Sequence, residues 1–247
     1  VSAIPERIIP RRTVHCGDAL PWLRAGGVRT GAALVTSLPD ISEVGKPERD
    51  WRAWFTDAVG CVVHATPPAS VALFFQSDVR HEDHWIDKGA LVVAAGAAVG
   101  AHVVFHRIVC RFEPGRAVRG RPTYTHLIAL SRALPARAGD GMPDVITEPG
   151  RAVWPRAMGI KAAALAIRFA RDETGAHTII DPFCGAGTVL AVANALGLHA
   201  EGVDLSARCC ARARALAIER SELDDSAAFR APPRDGGSSR RTAGDRR

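Results

Sequence analysis

The feature that most constrains this chain is the run Ile179-Ile180-Asp181-Pro182-Phe183-Cys184-Gly185-Ala186-Gly187-Thr188. Residues that read as a buried strand pass directly into a tight glycine turn and then into an apolar helix. Gly185 and Gly187 remove the side chains that would keep a ligand away from the backbone, and the helix start behind them offers free N–H groups. Seventeen residues after Gly187, a second strand ends in Gly202-Val203-Asp204-Leu205-Ser206. A carboxylate at that place can accept both hydroxyls of a ribose. A dinucleotide fingerprint wants a third glycine three residues beyond Gly187, where Leu190 stands. Asp181 would repel a pyrophosphate but suits an ammonium group. The combination points to a nucleoside-bearing ligand that is not a dinucleotide.

Hydrophobic periodicity extends the same rhythm over most of the chain. It predicts strands at residues 13–16, 32–36, 69–76, 102–110, 124–131, 178–180 and 200–203. Helices are expected at 19–25, 51–63, 86–100, 157–171, 188–196 and 207–220, with a connecting loop at 134–149. Strands alternating with helices predict an α/β fold, an open and mostly parallel Rossmann-like sheet with helices on both faces. With 47% apolar residues, residues 1–229 suffice for one domain. Residues 230–247 place six arginines against two aspartates among Pro, Gly and Ser, and so carry much of the formal net charge of +6. That tail is expected to be disordered, serving either as an electrostatic arm for phosphate backbones or as a solubilising end.

No apolar run is long enough for a membrane span, and no signal peptide is expected, so the chain reads as soluble and intracellular, cytoplasmic by default. The six cysteines lack CxxC spacing and read as reduced thiols, and no metal site is expected. His81-Glu82-Asp83-His84 reads as a solvated loop between a strand and a helix.

The glycine run resembles the first motif of the class I S-adenosylmethionine-dependent methyltransferases, in the DPFCGxGT form found among RNA and DNA amino-methyltransferases. In the circularly permuted group, a Gly-Asp strand end and a catalytic [DNS]-Pro-Pro-[aromatic] motif precede the glycine loop. Gly17-Asp18 and Ser37-Leu38-Pro39-Asp40 lie in that order here. The resemblance implies a permuted class I methyltransferase sheet binding S-adenosyl-L-methionine. Asp18 would meet the adenine amino group and Asp204, beside Leu205, the ribose. Asp181, Phe183, Cys184, Gly185, Gly187 and Thr188 would surround the methionine end. Segments around Phe75-Gln76-Ser77-Asp78, Trp85-Ile86-Asp87-Lys88, Arg121-Pro122-Thr123-Tyr124-Thr125-His126 and Trp154-Pro155-Arg156-Ala157-Met158-Gly159 are similar to a little-characterised methyltransferase group.

The catalytic motif departs from the family at Leu38 and Asp40. Ser37 and Pro39 still provide a hydroxyl and a carbonyl that can accept hydrogen bonds from a target amine. Asp40 either takes the proton released on transfer or caps the following helix. Without an aromatic residue at position 40, a flipped base loses its stacking platform there, which places already unstacked RNA ahead of DNA. Asp78, Arg121 and Tyr124 are the candidates for substrate contact. The expectation is a methyltransferase acting on an exocyclic amine of nucleic acid, RNA before DNA, with a partner subunit conceivable. The competing readings are a non-catalytic RNA-binding assembly factor that still holds the cofactor, and a small-molecule or protein methyltransferase.

Overall fold

The structure, a computed structural model, describes residues 9–136, 142–154 and 157–223. The arginine-rich segment 230–247 lies outside the described residues. In chain order the first elements are β1 (Arg12–Cys16), α1 (Ala19–Arg24), β2 (Ala32–Thr36), α2 (Ile41–Val44), α3 (Glu48–Ala65) and β3 (Ala72–Gln76). There follow β4 (Val79–His81), β5 (His84–Ile86), α4 (Lys88–Ala98), β6 (His102–Cys110), β7 (Tyr124–Ser131) and β8 (Val145–Ile146). The last third holds α5 (Ile160–Thr174), β9 (Thr178–Asp181), α6 (Thr188–Ala195), β10 (His199–Asp204), α7 (Ala207–Ala215) and a short 3-10 turn at Arg220–Leu223.

One sheet of eight strands runs β1-β10-β9-β2-β3-β7-β6-β8, parallel except that β7 opposes both its neighbours. The late strand β9 is therefore central, hydrogen-bonded to β10 on one side and to β2 on the other. This order sets the end of β9, with its glycine turn, beside the end of β2, which leads into Ser37. Alternate residues of the central strands feed two cores, as a sheet covered on both faces requires. Ala33, Val35, Leu73 and Phe75 pack with α5, α6 and α7, whereas Ala32, Leu34, Ala72 and Phe74 pack with α1, α3 and α4.

Several expectations need correction. The segment His81-Glu82-Asp83-His84 is the tip of a β4–β5 hairpin rather than a plain loop, with Glu82 at φ 49°. The stretch 134–149 contributes β8, which pairs with β6 because Ile146 has a core site to fill. α5 begins at Ile160, after an extended Gly159, and ends on the left-handed Gly175. α7 stops at Ala215 because Leu216 turns extended, so Leu223 reaches the core through a separate turn. No helix among the described residues is long and apolar enough to cross a membrane.

Candidate active site

The glycine turn is held by close packing on two sides. Gly187 adopts φ +86°, and a Cβ there would lie 2.6 Å from the Ala213 Cα, so α7 can rest against the turn only because the residue is glycine. A Cβ on Gly202 would lie 2.6 Å from Leu190 and 2.9 Å from Cys184, so β10 too must be bare where it passes the turn. Asp204 joins these pieces. Its Oδ2 accepts the Gly185 N–H at 2.9 Å, and its Oδ1 accepts the Ser206 N–H at 2.8 Å. A carboxylate has about four lone-pair positions, so acceptor capacity remains for a ligand's hydroxyls.

Asp181 is 4% exposed. Its Oδ1 accepts the Thr36 hydroxyl at 2.7 Å and the Phe183 N–H at 3.1 Å. Burial pushes its pKa up to about 7 against the opposing effect of those two donors. Among the described residues no cation pairs with it, so the buried carboxylate carries a charge deficit that an incoming ammonium would satisfy.

These groups line a cavity of about 790 Å³, a volume suited to a small organic ligand. Asp18, Ser37, Pro39, Asp181, Phe183, Cys184, Gly185, Thr188, Asp204 and Leu205 all face it. Asp18 is exposed and caps α1, accepting the Leu20 N–H at 3.0 Å. Ser37 is exposed beside Leu38, which is buried. Two of the cofactor and catalytic candidates stand back from the cavity wall. Gly187 is pressed against α7, and Asp40 turns away to pair with the ammonium of Lys88. The main chain of Asp40 donates to the Glu43 carboxylate at 2.8 Å at the start of α2.

A polar network lies at the ends of β3 and β7. Asp78 accepts from the Lys88 backbone N–H at 2.9 Å and from the Tyr124 hydroxyl at 3.3 Å. The His126 Nε2 lies 3.1 Å from the same carboxylate, and the His126 Nδ1 lies 2.9 Å from the His106 Nε2. Burial works against the Asp78 charge, but the bonds from His126, Lys88 and Tyr124 outweigh it and hold the carboxyl below its usual range. Arg121 is exposed and joins neither this network nor the cavity lining.

Sequence reading missed two aromatic walls, Trp54 and Trp154. Trp54 had read as part of an apolar helix face, yet it lines the cavity and meets the Phe183 ring edge-on at 6.0 Å between centroids. Trp154 lies over the glycine turn, 3.7 Å from where a Cβ on Gly185 would stand. Only the tryptophan-bearing segment similarity hinted at it. Lys88 was also missed, since a lysine at a helix start ordinarily points into water, whereas this one is 3% exposed. A more open groove of about 980 Å³ lies over the sheet face near His15, His177 and His199, away from the glycine turn.

By sequence the chain matches no protein-family profile and no curated protein. Its fold is similar to solved structures. TTHA0409 of Thermus thermophilus, a candidate DNA modification methylase solved with S-adenosyl-L-methionine, is 20% identical. That match covers 83% of this chain and 92% of that one, with a TM-score of 0.61. The cytosine-N4-specific PvuII DNA methyltransferase is 13% identical over 86% and 90% of the two chains, TM-score 0.67. The M1.HpyAVI–SAM complex is 12% identical over 83% and 98%, TM-score 0.54. The chain thus shares the α/β fold of these methyltransferases.

Proposed function

We propose that this chain is an S-adenosylmethionine-dependent methyltransferase of the permuted class I kind, acting on an exocyclic amine of nucleic acid. The observation that carries the reading is a single cavity walled by the glycine turn, Asp181 and Asp204 on one side and by Ser37 and Pro39 on the other. Asp204 keeps acceptors for the ribose hydroxyls, Asp181 balances the methionine ammonium, Asp18 faces the adenine, and Gly185 leaves its backbone open. S-adenosylmethionine, when bound, supplies an activated methyl group on a sulfonium. The Ser37 hydroxyl and the Pro39 carbonyl accept the N–H bonds of the target amine and fix its lone pair toward that methyl, which is catalysis mainly by positioning. Asp40, tied to Lys88, holds the turn that presents Ser37 and Pro39.

The expectation of RNA before DNA rested on the missing aromatic residue at position 40, and it draws no support from the solved relatives. Trp54, Trp154 and Phe183 supply aromatic faces within the same cavity, which restores a platform for a base taken out of the stack. The relatives of this fold carry the names of DNA methylases. DNA is therefore the first substrate to test. Labelled methyl from S-adenosylmethionine is offered to separate duplex DNA, RNA and protein fractions, with cofactor binding measured alongside. Label in DNA supports the reading, and label confined to RNA restores the sequence preference. Intact cofactor binding with label in no fraction defeats the nucleic-acid assignment and favours a small-molecule substrate or the non-catalytic assembly role.

A further inference from the structure

We propose that Asp78, Asp87 and His126 form a binding site for one divalent transition-metal ion, at the substrate end of the sheet. Each residue offers a ligand atom, and the three atoms lie within 4.8 Å of one another. The His126 Nε2 is 3.1 and 3.2 Å from the two Asp78 oxygens. Two ligands bonded at about 2.1 Å and at right angles to a metal stand roughly 3.0 Å apart, so this pair already has coordination spacing. Asp87 is exposed; its Oδ1 caps α4 by accepting the Ala90 N–H at 2.7 Å, which leaves its other oxygen available as a ligand.

The surroundings of the three ligands are those of a prepared site. A ligating imidazole needs its other ring nitrogen fixed by a partner. His106 does this for His126, with Nε2 2.9 Å from the His126 Nδ1. In the metal-free chain the His126 Nε2–H bonds to Asp78; when an ion replaces that proton, His106 can accept the Nδ1–H and hold the ring with its Nε2 lone pair toward the carboxylates. Tyr124 and the Lys88 backbone orient Asp78 from outside the cluster.

An independent sign comes from Gln76. It is fully buried, and neither atom of its side-chain amide finds a hydrogen-bond partner among the described residues. A buried amide without partners is costly, because it has given up its water without a replacement. Gln76 stands opposite His126 in the β3–β7 register, so both side chains project from the same face of the sheet. A water on a metal held by His126 gives that amide the partner it lacks. One nitrogen and two carboxylate ligands suit Zn²⁺ or Mn²⁺ and leave positions open for water or a substrate oxygen. The backbone of Lys88 touches Asp78 while its ammonium holds Asp40, which couples the ion to the Ser37–Pro39 turn.

The test is titration of tag-free protein with Zn²⁺ by calorimetry and with Mn²⁺ by electron paramagnetic resonance. We expect one ion per chain. Asp87→Asn keeps the cap of α4, because asparagine caps as well as aspartate, and should weaken binding at least about tenfold. His106→Gln should weaken it about 10- to 100-fold by releasing the imidazole, and His126→Ala should abolish it. Thermal denaturation checks that each variant is folded. Wild-type protein that binds neither ion at millimolar concentration overturns the proposal, as does binding that survives both Asp87→Asn and His126→Ala. The titration uses no S-adenosylmethionine or nucleic acid, so its failure and that of the methyltransferase reading are separate results.

Discussion

The candidate site has two ends, the cavity around the glycine turn and the polar network at the ends of β3 and β7, and they are built in different ways. Most of the glycine-turn end comes from one continuous stretch, residues 181–204, in which strand, turn, helix and strand follow without interruption. The other end is collected from the loop after β2, the link between β3 and β4, the start of α4 and the first residues of β7. A local unit fixes its own geometry through short backbone bonds such as Gly185 N–H to Asp204. A composite unit depends on tertiary packing and relies on side-chain bonds between distant elements, such as Lys88 to Asp40 and His126 to Asp78. The first should therefore fail as a binding site when one residue is changed, and the second should fail partly as a fold.

The largest expected effect falls at the local end. Asp204→Ala removes the acceptors proposed for two ribose hydroxyls and the partner of the Gly185 N–H. Charge-assisted hydrogen bonds are worth about 1.5–3 kcal/mol each, so two of them correspond to a loss of at least about 100-fold in S-adenosylmethionine affinity. Calorimetry measures it. Tyr124→Phe, at the composite end, should leave that affinity within about twofold. A large effect of Tyr124→Phe on cofactor binding would break the division between the ends.

The next effect tests the composite end as a fold. The Lys88 side chain is 4% exposed, while that of Asp40 is 33% exposed. Removing Asp40 strands a buried ammonium, whereas removing Lys88 leaves a carboxylate that water can reach. Breaking a buried pair costs roughly 3–5 kcal/mol, and partial solvation of Asp40 places this one at the lower end. Asp40→Asn should thus lower Tm by roughly 6–12 °C, and Lys88→Met by less. The reverse order in differential scanning calorimetry would contradict the buried-ammonium argument. A folded Asp40→Asn enzyme with unchanged kcat would in turn exclude Asp40 as the proton acceptor that the sequence allowed.

This contrast also explains what was legible beforehand. The α/β rhythm, the central glycine turn and the Asp204 strand end could be read because strand period, glycine spacing and strand ends are local properties. Asp78 stands at a strand's C-terminal end and Tyr124 reads as a residue that could line a substrate cleft, and the two do meet. Arg121, chosen from the same stretch, does not join them, because it lies outside β7, separated from it by Pro122 and Thr123, and is exposed. Trp54 illustrates the opposite error. On a helix with apolar spacing, a core residue and a cavity wall have the same signature until the facing element, here Phe183, is known. The Asp78–Asp87–His126 cluster has no metal-ligand spacing because its members come from three elements. His81 and His84, which do have such spacing, sit on an exposed hairpin and reach Glu48 instead.

A smaller effect, in pH dependence, belongs to Asp181. Its folded pKa of about 7 lies above the ordinary 3.8, so the folded chain holds this proton more tightly than the unfolded chain. Stability from this group is full below about pH 4 and is lost as pH rises toward 7. Cofactor binding has the opposite sign, since an ammonium requires the ionised carboxylate. Affinity for S-adenosylmethionine should rise about tenfold per unit from pH 5 to 7 and then level off. Asp181→Asn should flatten that profile and be more stable than the parent at pH 8. A profile in the parent that is already flat would remove Asp181 from the ammonium site.

The smallest effect, and the one that probes the junction between the two ends, is at Thr36. It lies on β2 immediately before Ser37, yet its hydroxyl donates to Asp181 across the sheet at 2.7 Å. That bond favours the ionised carboxylate and so counteracts part of the effect of burial. Thr36→Val keeps the shape and deletes the donor. The Asp181 pKa should then rise further, and the midpoint of the affinity profile should move upward by roughly one to two pH units, the equivalent of one charge-assisted hydrogen bond. At pH 9 the variant should bind S-adenosylmethionine nearly as well as the parent, because the carboxylate is regained by ionisation alone. A loss of affinity that persists at pH 9 would mean that Thr36 positions the glycine turn rather than tuning a charge. The two ends would then be coupled through the sheet and not only through the ligand between them.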